Sequence, residues 1–207
     1  MSIEKSYNSW AKQYDTNNNK TRDLDKKATI NTLSKYNFNN VLELGCGTGK
    51  NTIWLIEKAA RIIALDFSEE MLKKAEEKIV NSKVTFKKAD ITKIWDINSD
   101  FADLITCSLI LEHIQNLDFI FKEAYKALKP NGFFFISELH PFKQYYGSKA
   151  RYETENGTEE LEVYTHHISE FTSIAKNNSF ELIEINEWFD EENEIEIPRL
   201  ISFVFKK

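Results

Sequence analysis

Residues 41–50, which read VLELGCGTGK, decide the fold of this chain. The apolar segment 41–45 has the length and composition of a buried strand. Its last residue begins a run of three glycines, and a helical pattern follows over 51–58. Glycines at this point let the backbone turn sharply and let a ligand approach it without a clash at Cβ. A strand, a glycine-rich turn and a helix in this order predict a nucleoside-binding loop in an α/β protein.

The spacing of the glycines excludes two phosphate-binding loops. A dinucleotide-binding GxGxxG fingerprint that starts at Gly45 needs glycine at its sixth position, where the chain has Lys50. A P-loop needs GxxxxGK[ST], which this segment does not contain. The loop therefore suits a nucleoside-bearing ligand and matches pyrophosphate poorly. A nicotinamide-dependent oxidoreductase is accordingly a distant alternative.

Two acidic residues end the next two predicted strands. Asp66 ends the segment 60–66, 21 residues after Gly45, and Asp90 ends the segment 83–90. At these strand ends a carboxylate can accept both ribose hydroxyls, and a second side chain can reach the adenine amino edge. Each residue alone could simply be the N-cap of a following helix. Their joint placement favours a nucleoside pocket.

The alternation of strand and helix patterns predicts right-handed βαβ units and a mostly parallel sheet covered on both faces. Further helices are expected at 68–80 and 117–128, and further strands at 103–109 and 132–139, with Lys129–Gly132 turning the chain between the last helix and strand. Residues 140–165 are aromatic and charged without a clear period, which indicates an insertion or lid. A helix near 168–177 and strands at 180–189 and 199–207 follow, the two strands forming an antiparallel hairpin.

Composition and charge exclude several classes of protein. Residues 151–207 carry 5 Lys and Arg against 14 Asp and Glu, and such an acidic region would repel a phosphate backbone. The N-terminus is polar, and no apolar run is long enough to cross a bilayer. Cys46 and Cys107 lack CxxC spacing, which indicates reduced thiols and no zinc site. We expect a cytoplasmic protein that binds neither nucleic acid, membrane nor metal.

Five segments, in this order and spacing, resemble the class I S-adenosylmethionine-dependent methyltransferases, in particular the small "type 11" branch that includes quinone-biosynthesis enzymes. They are VLELGCGTGKNT (41–52), ALDFSEEML (64–72), KKADI (87–91), DLITCSLILEHI (103–114) and ALKPNGFFFISELHP (127–141). The initial YNSWAKQYD (7–15) is similar to the helix that closes over the cofactor in this branch. The resemblance implies a Rossmann-like, doubly wound α/β fold. Its seven-stranded sheet would be mostly parallel, with an antiparallel C-terminal hairpin strand and helices on both faces.

The same resemblance implies S-adenosylmethionine as methyl donor, S-adenosylhomocysteine as product, and a set of cofactor contacts. At the methionine end these are the backbone of Gly45, Cys46 and Gly47, with Glu43 near the ammonium group and Tyr14 and Arg22 over the carboxylate. Ser108 and Leu109 would offer backbone groups to the cofactor. At the nucleoside end they are Asp66 at the ribose, Phe67 packed on the adenine, and Asp90 and Ile91 at its amino edge and face.

Methyl transfer from a sulfonium is an in-line displacement that depends on how the acceptor is held. An acceptor that loses a proton also needs a base. The candidates are His113, His140 and His166, with His167 as a weaker one. His140 ends a predicted strand and is expected to point towards the acceptor, whereas His113 could instead only order its loop.

We expect one domain over 1–207. Its parts would be cofactor-closing helices (1–38), a cofactor-binding core (39–139), the insertion or lid (140–165), and a C-terminal helix and hairpin (166–207). Aromatic residues of the insertion could form the lid.

The leading interpretation is a methyltransferase acting on a small-molecule acceptor, as a monomer or homodimer. A methyltransferase acting on a peptide or protein amine is the nearest alternative, and a protein that binds the cofactor without turnover is another.

Overall fold

The computed structural model describes residues 3–11, 13–16, 18–148, 151–154, 157–190 and 197–207. Its strands are β1 (Asn40–Leu44), β2 (Arg61–Asp66), β3 (Val84–Lys88), β4 (Ala102–Ser108), β5 (Leu128–Leu139), β6 (Arg151–Thr154), β7 (Gly157–Glu160), β8 (Glu181–Trp188) and β9 (Leu200–Lys206). Its α-helices are α1 (Ile3–Trp10), α2 (Lys20–Leu33), α3 (Thr52–Lys58), α4 (Glu69–Lys78), α5 (Asp118–Ala127), α6 (Pro141–Tyr145) and α7 (Ile168–Asn177), and a 3₁₀ turn covers Leu111–His113.

Seven strands form one sheet in the order β3-β2-β1-β4-β5-β9-β8. The first five are parallel, and β9 runs antiparallel between β5 and β8. The predicted sheet and its antiparallel C-terminal hairpin are therefore confirmed. The strand order reverses between β1 and β4, and ligands of open α/β sheets bind at such a switch point, beyond the carboxyl ends of the strands.

Apolar residues cover both faces of the sheet, as the continuous apolar runs of its central strands require. Leu33 of α2 and Leu55 of α3 belong to the cluster on one face, together with Val41 of β1. Phe121 of α5 and Phe171 of α7 belong to the larger cluster on the other face. The expected helices on both faces are confirmed, and the two clusters hold the central strand ends in fixed positions.

The face that α2 turns inward is largely polar. Asp25, Thr29 and Thr32 lie one turn apart along it and are buried, next to the apolar residues Ala28 and Leu33. The side chain of Asn19 accepts a hydrogen bond from the backbone of Arg22 at the start of the helix. The buried face of α2 therefore carries more polar side chains than is usual for a buried helix.

Residues 129–132 do not form the separate turn that Pro130 and Gly132 predict. Helix α5 ends at Ala127, and β5 begins at the next residue. Leu128 pairs with Ala102, and Phe133 pairs with Leu104, so a bulge of four residues on β5 faces one residue of β4. Asn131 takes φ 67° within it. The turn signals mark a bulge inside a continuous strand.

The segment 140–165 has secondary structure that its composition did not predict. It forms the short helix α6 and the two-stranded antiparallel sheet of β6 and β7. Within the described ranges, no helix has the length and apolar character needed to cross a membrane.

Candidate cofactor and active site

Two adjoining cavities lie at the carboxyl ends of the parallel strands. The larger encloses about 630 Å³ and the smaller about 50 Å³. All twelve residues that the sequence resemblance assigned to the cofactor line one or both of them. Five residues line both, namely Tyr14, Gly45, Gly47, Ser108 and Leu109. The cavities therefore meet where β1 and β4 end, at the switch point of the sheet.

The glycine-rich loop brings backbone to the floor of both cavities. The Cys46 amide donates to the Leu65 carbonyl (2.9 Å), which ties the loop to the end of β2. Gly45 has φ +67°, and a Cβ built there would lie 2.6 Å from Cγ2 of Ile110. Glycine is required at this position for its backbone conformation and for the close approach of Ile110. The loop is thus held against the turn that follows β4.

Asp66 is the central acidic residue of the larger cavity. One of its carboxylate oxygens accepts from the Gly47 amide and the other from the Ser68 amide, both at 2.8 Å. Burial raises its pKa to about 6, although these amides oppose the shift. The neighbouring Phe67 also lines the cavity. Each carboxylate oxygen keeps a second lone pair with which it can accept a ribose hydroxyl.

The far end of the larger cavity is formed by residues that follow β3. Ile91 is buried there, and Asp90 accepts from the backbone amide of Thr92 (3.0 Å) and from its hydroxyl (2.6 Å). These contacts hold Asp90 at the cavity edge, where it lines the wall with Thr92. An apolar surface beside a hydrogen-bonding edge is the combination that an adenine ring requires.

The smaller cavity is polar and mixes both signs of charge. The guanidinium of Arg22 lies 4.0 Å from the ring centroid of Tyr14 and donates to the Tyr14 carbonyl. Glu43 lines the same cavity, and its carboxylate accepts from the Thr52 hydroxyl at 2.6 Å. Burial, together with the charges of Asp66 and Asp25, raises the pKa of Glu43 to about 8. A cation and carboxyl groups side by side suit the α-amino acid end of S-adenosylmethionine.

His113 is the predicted histidine that lines the larger cavity, and both of its ring nitrogens have partners. Nδ1 lies 3.0 Å from the carbonyl of Glu162, and Nε2 lies 2.9 Å from the hydroxyl of Tyr7. A carbonyl only accepts, so Nδ1 carries the proton and Nε2 accepts from Tyr7. Burial lowers the pKa of His113, which keeps the ring neutral.

His140 does not point towards the acceptor side as the sequence predicted. It is fully buried and is not among the described residues that line either cavity. Nδ1 accepts from the Phe142 amide as the N-cap of α6, and Nε2 lies 3.1 Å from a carboxylate oxygen of Glu187. A position at the end of a strand does not fix the direction of the side chain. Here that direction is set by the cap.

His166 and His167 also lie outside the described linings. His166 is buried, with Nε2 2.8 Å from the Ile114 carbonyl and Nδ1 3.0 Å from a carboxylate oxygen of Glu170. His167 is exposed and bonds through Nδ1 to the hydroxyl of Tyr145. These contacts join α7 to its neighbours, so neither ring is placed for proton transfer in the cavity.

The cover of the cavity comes from other residues than the aromatic ones expected in 140–165. Phe142, Tyr145 and Tyr146 are exposed on or beside α6. Tyr164 bonds to Glu162 and is not among the described lining residues. The side chain of Tyr152 lies outside the described residues. Residues of α1 and Glu160–Glu162 line the cavity instead. We call these two segments the roof. Leu161 belongs to the same apolar cluster as Trp10 of α1 and Met71 of α4.

The sequence prediction missed several residues of the site. Tyr7 stood in the segment 7–15 that resembles a closing helix, but no motif distinguished it. Asp25, Ile110 and Glu160–Glu162 had no signal, because they reach the cavities only through the packing of α2, the turn after β4 and the segment after β7. Within the described part of the chain, no group of three or more His, Cys, Asp or Glu is placed to hold a metal ion.

Comparison with known proteins agrees with this geometry. Residues 42–136 match a family model described as a methyltransferase domain. The Bacillus subtilis protein YqeM, which carries the name of a methyltransferase, is 31% identical over 107 residues, covering 50% of this chain and 43% of that protein. The chain thus spans less than half the length of this curated relative.

Solved structures share the fold over nearly the whole chain. A structure from Listeria monocytogenes described as an S-adenosylmethionine-dependent methyltransferase superposes with a TM-score of 0.78 at 24% identity, covering 90% of this chain and 99% of that one. The complex of DhpI with S-adenosylhomocysteine gives a TM-score of 0.74 at 20% identity, covering 98% and 93%. The chain therefore has the fold of S-adenosylmethionine-dependent methyltransferases, and residues 42–136 match a methyltransferase domain.

Proposed function

We propose that the chain transfers the methyl group of S-adenosylmethionine to a small-molecule acceptor. The carrying observation is that the two cavities share five lining residues, so a wall that suits a nucleoside lies beside a wall that suits an amino acid. When bound, the cofactor supplies an electrophilic methyl group on its sulfonium. The residues of the chain position that group and the acceptor for in-line displacement.

A small acceptor is favoured by the cover and the charge of the larger cavity. Residues of the roof line the larger cavity, and its volume of about 630 Å³ is in the range of small-molecule sites. Among the described residues that line it, the charged ones are Glu4, Asp66, Asp90, Glu160 and Glu162, and there is no Lys or Arg. A nucleic-acid backbone would meet like charge at each of these positions.

A peptide or protein amine is the second candidate acceptor, and the same carboxylates favour it. They would attract a cationic side chain and lower the cost of bringing it out of water. The two candidates differ in whether the acceptor must pass beneath the roof as a free molecule or only insert one side chain.

We also propose a cytoplasmic location, because Cys46 and Cys107 are both free thiols.

Proton removal, where the acceptor needs it, is proposed to run through Tyr7. Tyr7 lines the cavity, and its hydroxyl donates to neutral His113. As the hydroxyl proton of Tyr7 passes to Nε2, the tyrosine oxygen can take the proton that the acceptor loses. His113 would then be a positioning residue and proton acceptor behind Tyr7. His113 would not contact the acceptor itself.

A turnover screen tests this function. The protein and S-adenosylmethionine are incubated with panels of free amines, hydroxyl compounds, thiols and carboxylic acids, and with lysine-rich peptides. The readout is the S-adenosylhomocysteine formed, and Asp66→Ala is the inactive control. We expect turnover with a free small molecule. Turnover with peptides alone would favour the second candidate. Cofactor binding without turnover on any panel would contradict both.

A further inference from the structure

Residues 110–114 follow β4 and form one wall of the larger cavity, and we call them the β4 turn. Ile110, His113 and Ile114 of this turn line the cavity. The ring of His113 also meets the hydroxyl of Tyr7, which belongs to the roof. The position of the β4 turn therefore decides whether the roof and the wall of the cavity stay in contact.

Glu138, near the end of β5, holds the first residues of the β4 turn. Glu138 is only 3% exposed, and its Oε1 accepts from the backbone amides of Ile110 (3.1 Å) and Leu111 (2.9 Å). The carbonyl of Ile110 in turn accepts from the His113 amide at 3.1 Å. One buried carboxyl oxygen thus fixes the part of the turn from which the ring of His113 extends.

The chain after β5 also contacts the β4 turn, but from outside the sheet. Gln144 of α6 donates to the carboxylate of Glu112 at 3.3 Å, and the Tyr164 amide donates to the carbonyl of Glu112 at 2.7 Å. Nε2 of His166 lies 2.8 Å from the carbonyl of Ile114. These contacts come from connecting segments, whereas the carboxyl contact described above comes from β5, a strand that is paired on both sides. The paired strand is the more rigid support for the turn.

The surroundings of Glu138 keep its carboxyl group neutral. Burial, together with the charge of Glu112, raises the pKa of Glu138 well above its usual value, although the two backbone amides oppose the shift. Burial, Tyr14 and nearby carboxyl groups that include Glu138 raise the pKa of Tyr7, so a charge on Glu138 would oppose proton loss from that tyrosine. A neutral carboxyl group avoids this cost and still offers its carbonyl oxygen to both amides.

We propose that Glu138 is a positioning residue for methyl transfer, whose carboxyl group holds the β4 turn so that His113 meets Tyr7. It acts through the turn, because Glu138 is not among the described residues that line either cavity. The proposal rests on the proposed function for the reaction that Glu138 serves. The contact between turn and roof that it predicts is measurable without any acceptor.

The dissociation rate of S-adenosylhomocysteine, measured by stopped-flow fluorescence, tests this role because the bond between Tyr7 and His113 ties the roof to the turn. The variants are Glu138→Ala, Glu138→Asp, Glu138→Gln, Tyr7→Phe, and Glu138→Ala combined with Tyr7→Phe. Val204→Ala is the matched control. It weakens the core from the face opposite to the one where Leu111 of the turn packs.

We expect Glu138→Ala to raise the dissociation rate about 2- to 10-fold, the range of one net hydrogen bond. Glu138→Asp should behave alike, because its shorter side chain withdraws the oxygen from the amides, whereas Glu138→Gln should stay within about twofold of the wild type. The double variant should be no faster than the faster single variant, since both changes break the same contact. Val204→Ala should keep the wild-type rate. On an acceptor found by the turnover screen, Glu138→Ala should lower kcat about 10- to 100-fold, and Glu138→Gln should preserve it.

Other results would overturn the assignment. An unchanged rate in Glu138→Ala or in Tyr7→Phe, or additive effects in the double variant, would show that Glu138 does not act through this contact. A rate for Glu138→Gln as high as that of Glu138→Ala would show that the carbonyl oxygen is not what holds the turn. A raised rate in Val204→Ala would reduce the effect to lost stability. Failure of the proposed function looks different, because the wild type would then turn over no acceptor while the dissociation rates keep the expected order.

Discussion

The hydroxyl of Tyr7 lies 2.9 Å from Nε2 of His113, and this bond joins residues that are 106 positions apart. Tyr7 belongs to α1, and His113 ends the turn after β4. Through Nδ1 the same histidine also holds the carbonyl of Glu162. His113 therefore connects both segments of the roof to the sheet, and we expect these contacts to open when the cofactor leaves.

Removing the tyrosine hydroxyl should loosen the roof. We expect Tyr7→Phe to raise the dissociation rate of S-adenosylhomocysteine about 2- to 10-fold, since one net hydrogen bond contributes roughly 0.5–1.5 kcal/mol. Stopped-flow fluorescence measures that rate. Tyr36→Phe is the matched control, because it removes a tyrosine bond to Glu184 far from the cavity. Equal rates for Tyr7→Phe and the wild type would contradict a closing role for this bond.

Loss of the Asp66 carboxylate should weaken cofactor binding strongly. Asp66→Ala removes the expected ribose acceptor and also frees the Gly47 amide that shapes the glycine-rich loop. We expect Kd for S-adenosylhomocysteine to rise at least about 10-fold by calorimetry. The exposed Asp96→Ala, with a side chain outside both cavity linings, serves as control. A Kd within twofold of the wild type would remove the ribose role.

The buried carboxyl group of Glu43 should make the ligand-free chain less stable as pH rises. Its pKa is raised from 4.5 to about 8, so the folded chain holds a proton that the unfolded chain loses. The resulting stabilisation is complete below pH 4.5 and is lost as pH rises towards 8. Asp66, with a pKa raised to about 6, acts in the same direction.

Glu43→Gln should flatten this dependence. Between pH 5.5 and 8 we expect the free energy of unfolding of the wild type to fall by a few kcal/mol more than that of the variant, on the order set by one raised pKa. Urea unfolding at several pH values measures it. Glu57→Gln, at an exposed position of α3, should keep the wild-type slope. Identical slopes for all three proteins would show that Glu43 ionises in the folded chain as it does in the unfolded one.

A methyl group at Gly45 should be far more damaging than one at Gly47. Both residues have positive φ, but a Cβ at Gly45 would meet Ile110 at 2.6 Å, whereas a Cβ at Gly47 has no described atom within 4 Å. We expect Gly45→Ala to cost at least about 2 kcal/mol of unfolding free energy and Gly47→Ala about 1 kcal/mol. Ile110→Ala should recover part of the loss in Gly45→Ala. A simple sum of the two single effects would contradict the clash.

Much of the site could be predicted from the sequence because its key residues sit at fixed points of a regular pattern. Gly45, Asp66 and Asp90 lie at or just after the ends of strands, and parallel strands bring their carboxyl ends to one edge. The periodicity also located α3, α4, α5, α7 and the C-terminal hairpin to within a few residues.

The remaining features depend on directions that periodicity does not encode. His140 follows a strand as Asp66 does, yet a cap turns it away from the cavity. Asp25 lines the smaller cavity because of the way α2 is oriented about its helix axis. Residues 160–162 line the larger cavity because the chain after β7, whose sequence has no regular pattern, passes beside it. In each case long-range packing sets the side-chain direction.

The polar inner face of α2 has a consequence for how this protein unfolds. Detaching α2 would expose Asp25, Thr29 and Thr32 and comparatively little apolar surface. The heat capacity change of an opening scales mainly with the apolar surface that it releases, and its urea dependence scales with the total surface released. Amide hydrogen exchange in α2 should therefore proceed through a local opening that depends less on urea than global unfolding does, while the sheet exchanges only through global unfolding. Bound cofactor would then slow exchange in this helix first.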